Sequence, residues 1–261
     1  MRNLVRAEFR KVATTRMWIG LVLGGLAIVA FYVVVIALTA GNTAAGGNAL
    51  RSLDDPGSVR AVYGVPLEIG YILPLVLGVT MICGEFRHGT ITPTFLATPR
   101  RSRVLAAKVV AAAVVGLAIG VLFTVMSTGL GSIIVAARGH AVLLQSGEMW
   151  RVLVLVAVGV GVWTVFGVGF GALLKNQVAA IVTALVLVGI VEGLLSLALD
   201  WVHLGGVAKF LPASAADAML RPSNIHGSDL LPWWAGALVL LAWGLGTALA
   251  GALSTMRRDV S

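Results

Sequence analysis

Long apolar runs alternate with short polar segments along the whole chain. A helix crossing a bilayer core needs about 20 apolar residues. Six runs reach that length: Trp18 to Ala40, Val62 to Cys83, Val109 to Ala137, Val152 to Leu174, Val178 to Leu199 and Leu231 to Met256. The pattern predicts an all-α, polytopic membrane protein with six transmembrane helices, one membrane domain over residues 1–261. The third and sixth runs exceed the minimum, so they are expected to tilt, kink or protrude. The first, 23 residues long with no plain small-residue cleavage site after it, reads as a span and not as a cleavable leader.

The polar segments differ in character. Residues 1–17 hold five basic residues among apolar Leu4, Val5, Phe9 and Val12, a spacing that gives a basic amphipathic helix able to lie along the membrane surface. A frayed basic tail that only sets topology is the plainer reading. "GNTAAGGNALRSLDDPGS" reads as an irregular connection. In residues 200–230, Trp201, Val202, Leu204, Val207, Phe210 and Leu211 are expected to build short interfacial helices over one mouth of the bundle, with Pro212 and "RPSN" breaking them. A floppy loop would leave these bulky groups in water.

Charge then orients the chain. Thirteen of the 19 lysines and arginines fall in 1–17, 84–108, 175–177 and 257–261. The positive-inside rule places these segments, and both termini, in the cytoplasm, with 200–230 outside. The net charge of +8 suits anionic lipid better than nucleic acid. Composition agrees: 59% of residues are hydrophobic and 11% charged, whereas a soluble domain carries about 25% charged residues. Cys83, the one cysteine, ends an apolar run and reads as a small core residue.

Candidate chemistry is sparse. No G-x-x-x-x-G-K-[ST] stretch is present, so ATP hydrolysis is not expected in this chain. H-E-x-x-H and G-x-S-x-G are also missing, and the four histidines are widely separated, so neither an enzyme nor a metal site is expected. Two carboxylates do fall within spans, and intramembrane acids normally face protein or a watery path. Glu192 lies eight residues before Asp200, about 12 Å from that boundary at 1.5 Å per residue, and is expected to line an outward-facing cavity or, as the alternative, to pair with a hydroxyl, a backbone group or a basic side chain. Glu68, between Pro66 and Pro74, either lines the same cavity or pairs with a hydroxyl, a backbone group or a basic side chain. Pairs such as Gly20/Gly24, Gly116/Gly120, Gly167/Gly171 and Gly189/Gly193 offer small faces for close helix approach. The five glycines from Gly159 to Gly171 serve close packing or allow a bend.

One insert is denser than a link needs. "GEFRHGTITPTFLATPRRSR", residues 84–103, places Glu85, Arg87 and His88 beside apolar Phe86 and Ile91, with Pro93 limiting any helix. Thr98 and Pro99 suit the start of the next helix. A short amphipathic helix over 84–98, held between two spans, can carry a push from a soluble partner; an ordinary basic loop is the alternative.

The order "AEFRK…TTR", "GEFRHGTI…TPRRSRVLAAK" and "FGALLKNQ" resembles the membrane permease subunits of ABC type 2 transporters. The resemblance implies an interfacial elbow helix over 1–17, a coupling helix over 84–98 and short extracellular helices in 200–230. It implies that Glu85, Phe86, Arg87, His88, Gly89 and Thr90 lie at the contact with a separate ABC ATPase, with Glu85 and Arg87 as polar contacts and Gly89 as a bend. It further implies two ATPase copies holding ATP and Mg, a second permease that is a copy or a related chain, and an export role; the apolar lining and short outer segments favour a lipophilic cargo such as a drug, peptide antibiotic or lipid. The rival expectation is a stand-alone channel or an ion- or proton-coupled carrier using Glu68 and Glu192.

Overall fold

The computed structural model of the protein describes residues 1–41, 52–90, 101–174, 176–220 and 231–257. The described residues are helical and contain no strand, and six helical stretches are long and apolar enough to cross a membrane. A separate helix, α1 (Arg2–Thr14), precedes them. The first span is α2 (Met17–Thr39). The second is composite: α3 (Pro56–Val65), a π-helical segment at Pro66–Gly70, and α4 (Ile72–Arg87). Next come α5 (Arg101–Ala137) and α6 (Gly147–Leu174). The fifth span joins α7 (Gln177–Val186) through π-helical Leu187–Val191 to α8 (Glu192–Trp201). Short α9 (Gly205–Ala208) and α10 (Pro212–Leu220) lead to the sixth, α11 (Trp233–Arg257).

Two helices begin well before their apolar runs. Asp55 accepts from the Gly57 amide at 3.0 Å and Pro56 occupies the first turn, so the second span starts six residues before Val62. Residues 56–58, expected as the end of an irregular connection, are helical. The third span starts by Arg101 and not at Val109, since a helix needs only backbone pairing, not apolar side chains, to run past the lipid. Thr98 and Pro99 lie outside the described residues.

The fourth span is the hub. In its apolar window 78% of residues are buried, against 22% in the fifth and sixth, because α4, α5 and α11 all pack on it. Lipid supplies no hydrophobic drive for helix association, so close approach through small residues carries the packing. A Cβ at Gly78 would meet the Thr164 carbonyl, and one at Gly167 the Leu75 carbonyl, which locks α4 against α6. Gly116 and Gly120 of α5 meet Thr164 and Ala157 in the same way, whereas Gly20, Gly189 and Gly193 face open space. The helix α6 runs unbroken, so its glycines serve contact and not a bend. Tyr71, Trp163 and Phe166 stack through the centre at 4.4 and 5.2 Å between rings. Cys83 is buried as expected, its thiol donating to the Gly171 carbonyl at 3.3 Å.

The departures from regular α-helix fall elsewhere. Both π-helical segments adjoin an intramembrane acid: Glu68 lies within the first and Glu192 follows the second. Pro66 opens the first, and Pro74 removes the amide that would bond the Gly70 carbonyl. The chain between the fifth and sixth spans forms the expected short helices, but buries different residues from those expected. Trp201, Val202, Leu204, Val207 and Phe210 remain exposed, while α10 buries Ala215, Ala216, Met219 and Leu220. Pro212 opens that helix and does not break one, since the first turn needs no amide donor. The segment "RPSN" lies outside the described residues.

Candidate functional site

The second span ends in the residues the sequence singled out. Glu85, Phe86 and Arg87 form its last turn, continuous with the span and not a separate helix. Gly89 at φ +65° stops it: the Thr90 amide donates to the Glu85 carbonyl at 3.0 Å and the Gly89 amide to the Phe86 carbonyl at 3.4 Å. That pair of bonds is a Schellman motif, and its left-handed residue is normally glycine. Gly89 is thus a helix stop and not a bend for close approach. Residues 91–98, the rest of the expected coupling helix, lie outside the described residues.

Burial divides this turn. Arg87, His88, Gly89 and Thr90 are exposed, and Phe86 is half-buried against Val104. Glu85 is only 7% exposed and points inward. Its expected role as a polar contact for a partner therefore needs revision, because its Oε1 is already engaged. Lys108, fully buried on α5, donates to Glu85 Oε1 at 2.7 Å, to Glu8 Oε2 at 2.7 Å and to the Met81 carbonyl at 3.3 Å. The three donors of its ammonium are all used. Lys11 bridges the same two acids, at 2.7 Å to Glu8 Oε1 and 2.6 Å to Glu85 Oε1. Two acids and two lysines thus form a neutral cluster joining α1, α4 and α5.

Electrostatics favours the charged form of Lys11. Partial burial pulls the Lys11 amine down, but its hydrogen bonds and charge contacts with Glu8 and Glu85 outweigh this and raise it above 10.5. Sequence reasoning missed Glu8 and Lys108 as members. A signal was present: "E-F-R" occurs at 8–10 and at 85–87, and in both copies the glutamate is buried, the phenylalanine half-buried and the arginine exposed. A lone acid in each of two basic segments is the trace of an internal ion pair.

Outside the cluster, the same end carries a groove of about 600 Å³ lined by Phe86, Arg87, Leu174, Asn176, Gln177 and Val178. Asn176 positions its far wall. Its side-chain oxygen accepts from the Ala179 amide at 3.1 Å and caps α7, fixing where that helix starts. The turns of "GEFRHGT" and "FGALLKNQ", about 90 residues apart in the chain, therefore face each other across one opening.

The intramembrane acids separate. Glu192 is 6% exposed and its Oε1 accepts from the amides of Ala213 at 2.6 Å and Ser214 at 3.1 Å. Those amides open α10, so the carboxylate satisfies a helix N-terminus. Glu192 is a positioning residue beneath α10, and the expected cavity-lining role does not fit its burial. Glu68 is exposed on its π-helical segment, within electrostatic reach of Asp217 on the exposed side of α10.

No family model matches this chain, and no curated protein is detectably similar to it.

Proposed function

We propose that the protein is the membrane-spanning subunit of an ATP-driven exporter, a permease of the ABC type 2 kind working with a separate ATPase. The observation that carries this reading is the convergence of "GEFRHGT" and "FGALLKNQ" on one groove at one end of the bundle. The two segments share no structural need for each other, since each is terminated by its own local device, the Gly89 stop and the Asn176 cap. A binding role for the opening accounts for both. The ATPase, present in two copies with ATP and Mg, would seat on Arg87, Gln177 and Val178, with His88, Gly89 and Thr90 at the rim.

Movement at that groove would reach the spans by two routes. One is α4, a continuous helix from Ile72 to Arg87 that ends at the π-helical segment holding Glu68. The other is Glu85, whose bonds to Lys108 and Lys11 tie the same turn to α5 and α1. The basic segments place this end in the cytoplasm, with both termini there and the chain in the cell membrane.

Glu68 and Asp217 support a second permease, a copy or a related chain. A carboxylate exposed on a span is costly against lipid, so protein or water must cover it. In the exporter the acids would flank an outward path between two permeases, and the mostly apolar spans suit a lipophilic cargo such as a drug, peptide antibiotic or lipid. The same exposed Glu68 favours the second reading, a stand-alone ion- or proton-coupled carrier. Mild purification of the tagged full chain from its native membranes distinguishes them. The exporter predicts a co-purifying chain that carries a Walker-type sequence and hydrolyses ATP. The carrier predicts none, together with transport abolished in Glu68→Gln without any ATP requirement.

A further inference from the structure

A second opening lies beneath α1, a cavity of about 460 Å³ walled by α1, α2 and α4. It straddles the membrane boundary. Trp18, Leu77 and Met81 line its apolar depth within the first and second spans, while Lys11, Arg87 and His88 line its polar mouth. The cluster of Glu8, Glu85, Lys11 and Lys108 is neutral in itself, so Arg87 gives the mouth an excess positive charge. Two lining residues each carry a buried polar atom with no hydrogen-bond partner among the described residues: the indole N–H of Trp18 and Oε2 of Glu85, the latter on a side chain 9% exposed. Buried polar atoms left unpaired are rare and mark a missing partner.

We infer that this cavity holds one anionic phospholipid with hydroxyl groups on its head, bound at the same leaflet as α1. The phosphate answers Arg87 at the mouth, the Trp18 indole donates to an ester carbonyl below it, a headgroup hydroxyl donates to Glu85 Oε2, and an acyl chain lies over Leu77 and Met81. The volume falls within the range of about 300–1,000 Å³ usual for ligand sites and admits a headgroup with the upper part of a chain. The remaining chain length stays in the bilayer. The lipid would fill the space between α1 and α4 and so brace the charged cluster. This rests on the helices spanning a membrane and is independent of any ATPase.

The test uses the purified, delipidated full chain with phosphatidylglycerol, phosphatidylcholine or inorganic phosphate, read by native mass spectrometry and thermal unfolding. Wild type should retain one phosphatidylglycerol and unfold at higher temperature with it, and respond to neither other probe. Among the described residues a Cβ at Gly84 would meet nothing within 4 Å, and Gly84 lines the cavity, so Gly84→Leu fills the site without touching its charges. It should keep the lipid-free unfolding temperature and bind phosphatidylglycerol about tenfold more weakly or worse. Arg87→Gln should erase the preference for phosphatidylglycerol over phosphatidylcholine. Equal retention in Gly84→Leu, equal binding of both lipids by wild type, or stabilisation by phosphate alone would each overturn the proposal. Should Gly84→Leu prove unstable without lipid, Arg87→Gln decides: an unchanged preference refutes the site.

Discussion

Lys108 has no solvent contact, yet its ammonium is matched by two carboxylates and a carbonyl. Removing one member of a buried ion pair strands the others, which typically costs about 3–5 kcal/mol. Lys108→Met should therefore lower the thermal unfolding midpoint and free α1 to protease attack at Arg6 and Arg10, both exposed. Adding Glu85→Gln should restore part of the loss by removing the stranded charge. Wild-type unfolding of the single variant would show that the cluster does not hold α1. The sign of the Lys11 shift fixes the pH behaviour. A base raised by folding contributes stability that is complete below its ordinary 10.5 and fades only as pH climbs through the higher folded value. The tie of α1 through Lys11 should accordingly persist through the physiological range. At this scale little was legible in the sequence. Lys108 counts there as one more basic residue at a boundary, and nothing local brings it to Glu8, 100 residues away.

Among the elements, α10 depends on a residue from another span. The Glu192 carboxylate supplies acceptors for two amides that α10 cannot satisfy by itself. Losing a helix N-terminal cap costs about 0.5–2 kcal/mol. In Glu192→Ala, hydrogen exchange at Ala213 and Ser214 should accelerate severalfold, while α6, held by its glycine contacts, exchanges as before. Unchanged exchange at those two amides would contradict the capping role. The intramembrane position of Glu192 was legible and rightly marked it as unusual. Its partner was not, because an acid of the fifth span meets α10 only after the chain doubles back. Helix existence was legible too, since apolar runs report lipid contact directly. Helix starts were displaced, since Asp55 with Pro56 and the basic turn at Arg101 extend helices beyond the apolar stretch.

For the molecule as a whole, alternation of six spans brings the α1 end, the last turn of α4 and the start of α7 to one side. Orientation of that side follows from charge and is open to direct measurement. In a Cys83→Ala background, Ala13→Cys and Gln145→Cys place exposed thiols at opposite ends of the bundle. An impermeant thiol reagent should label position 145 in intact cells, and position 13 only after lysis. The reverse would invert the topology and place the groove outside the cell. The groove was half-legible: both segments drew notice in the sequence, but their meeting depends on α4 and α7 both packing beside α6.

The central claim is that this groove seats an ATPase, and its most direct measurement is the amount of Walker-bearing chain and ATPase activity that co-purify with the tagged protein. Val178 is 70% exposed at the groove edge, near the N-terminus of α7, where an added acid is favourable to the helix itself. Val178→Glu should thus fold normally and disrupt only docking. Arg87→Ala removes a charge from the opposite wall, a loss that typically costs about 2–5 kcal/mol when the pair is desolvated in an interface. Wild type should bring down near-stoichiometric ATPase, and both variants should remain in the membrane with the bound ATPase reduced about tenfold or more. Wild-type protein that retains no such chain under mild conditions, or variants that retain it fully, would contradict the account.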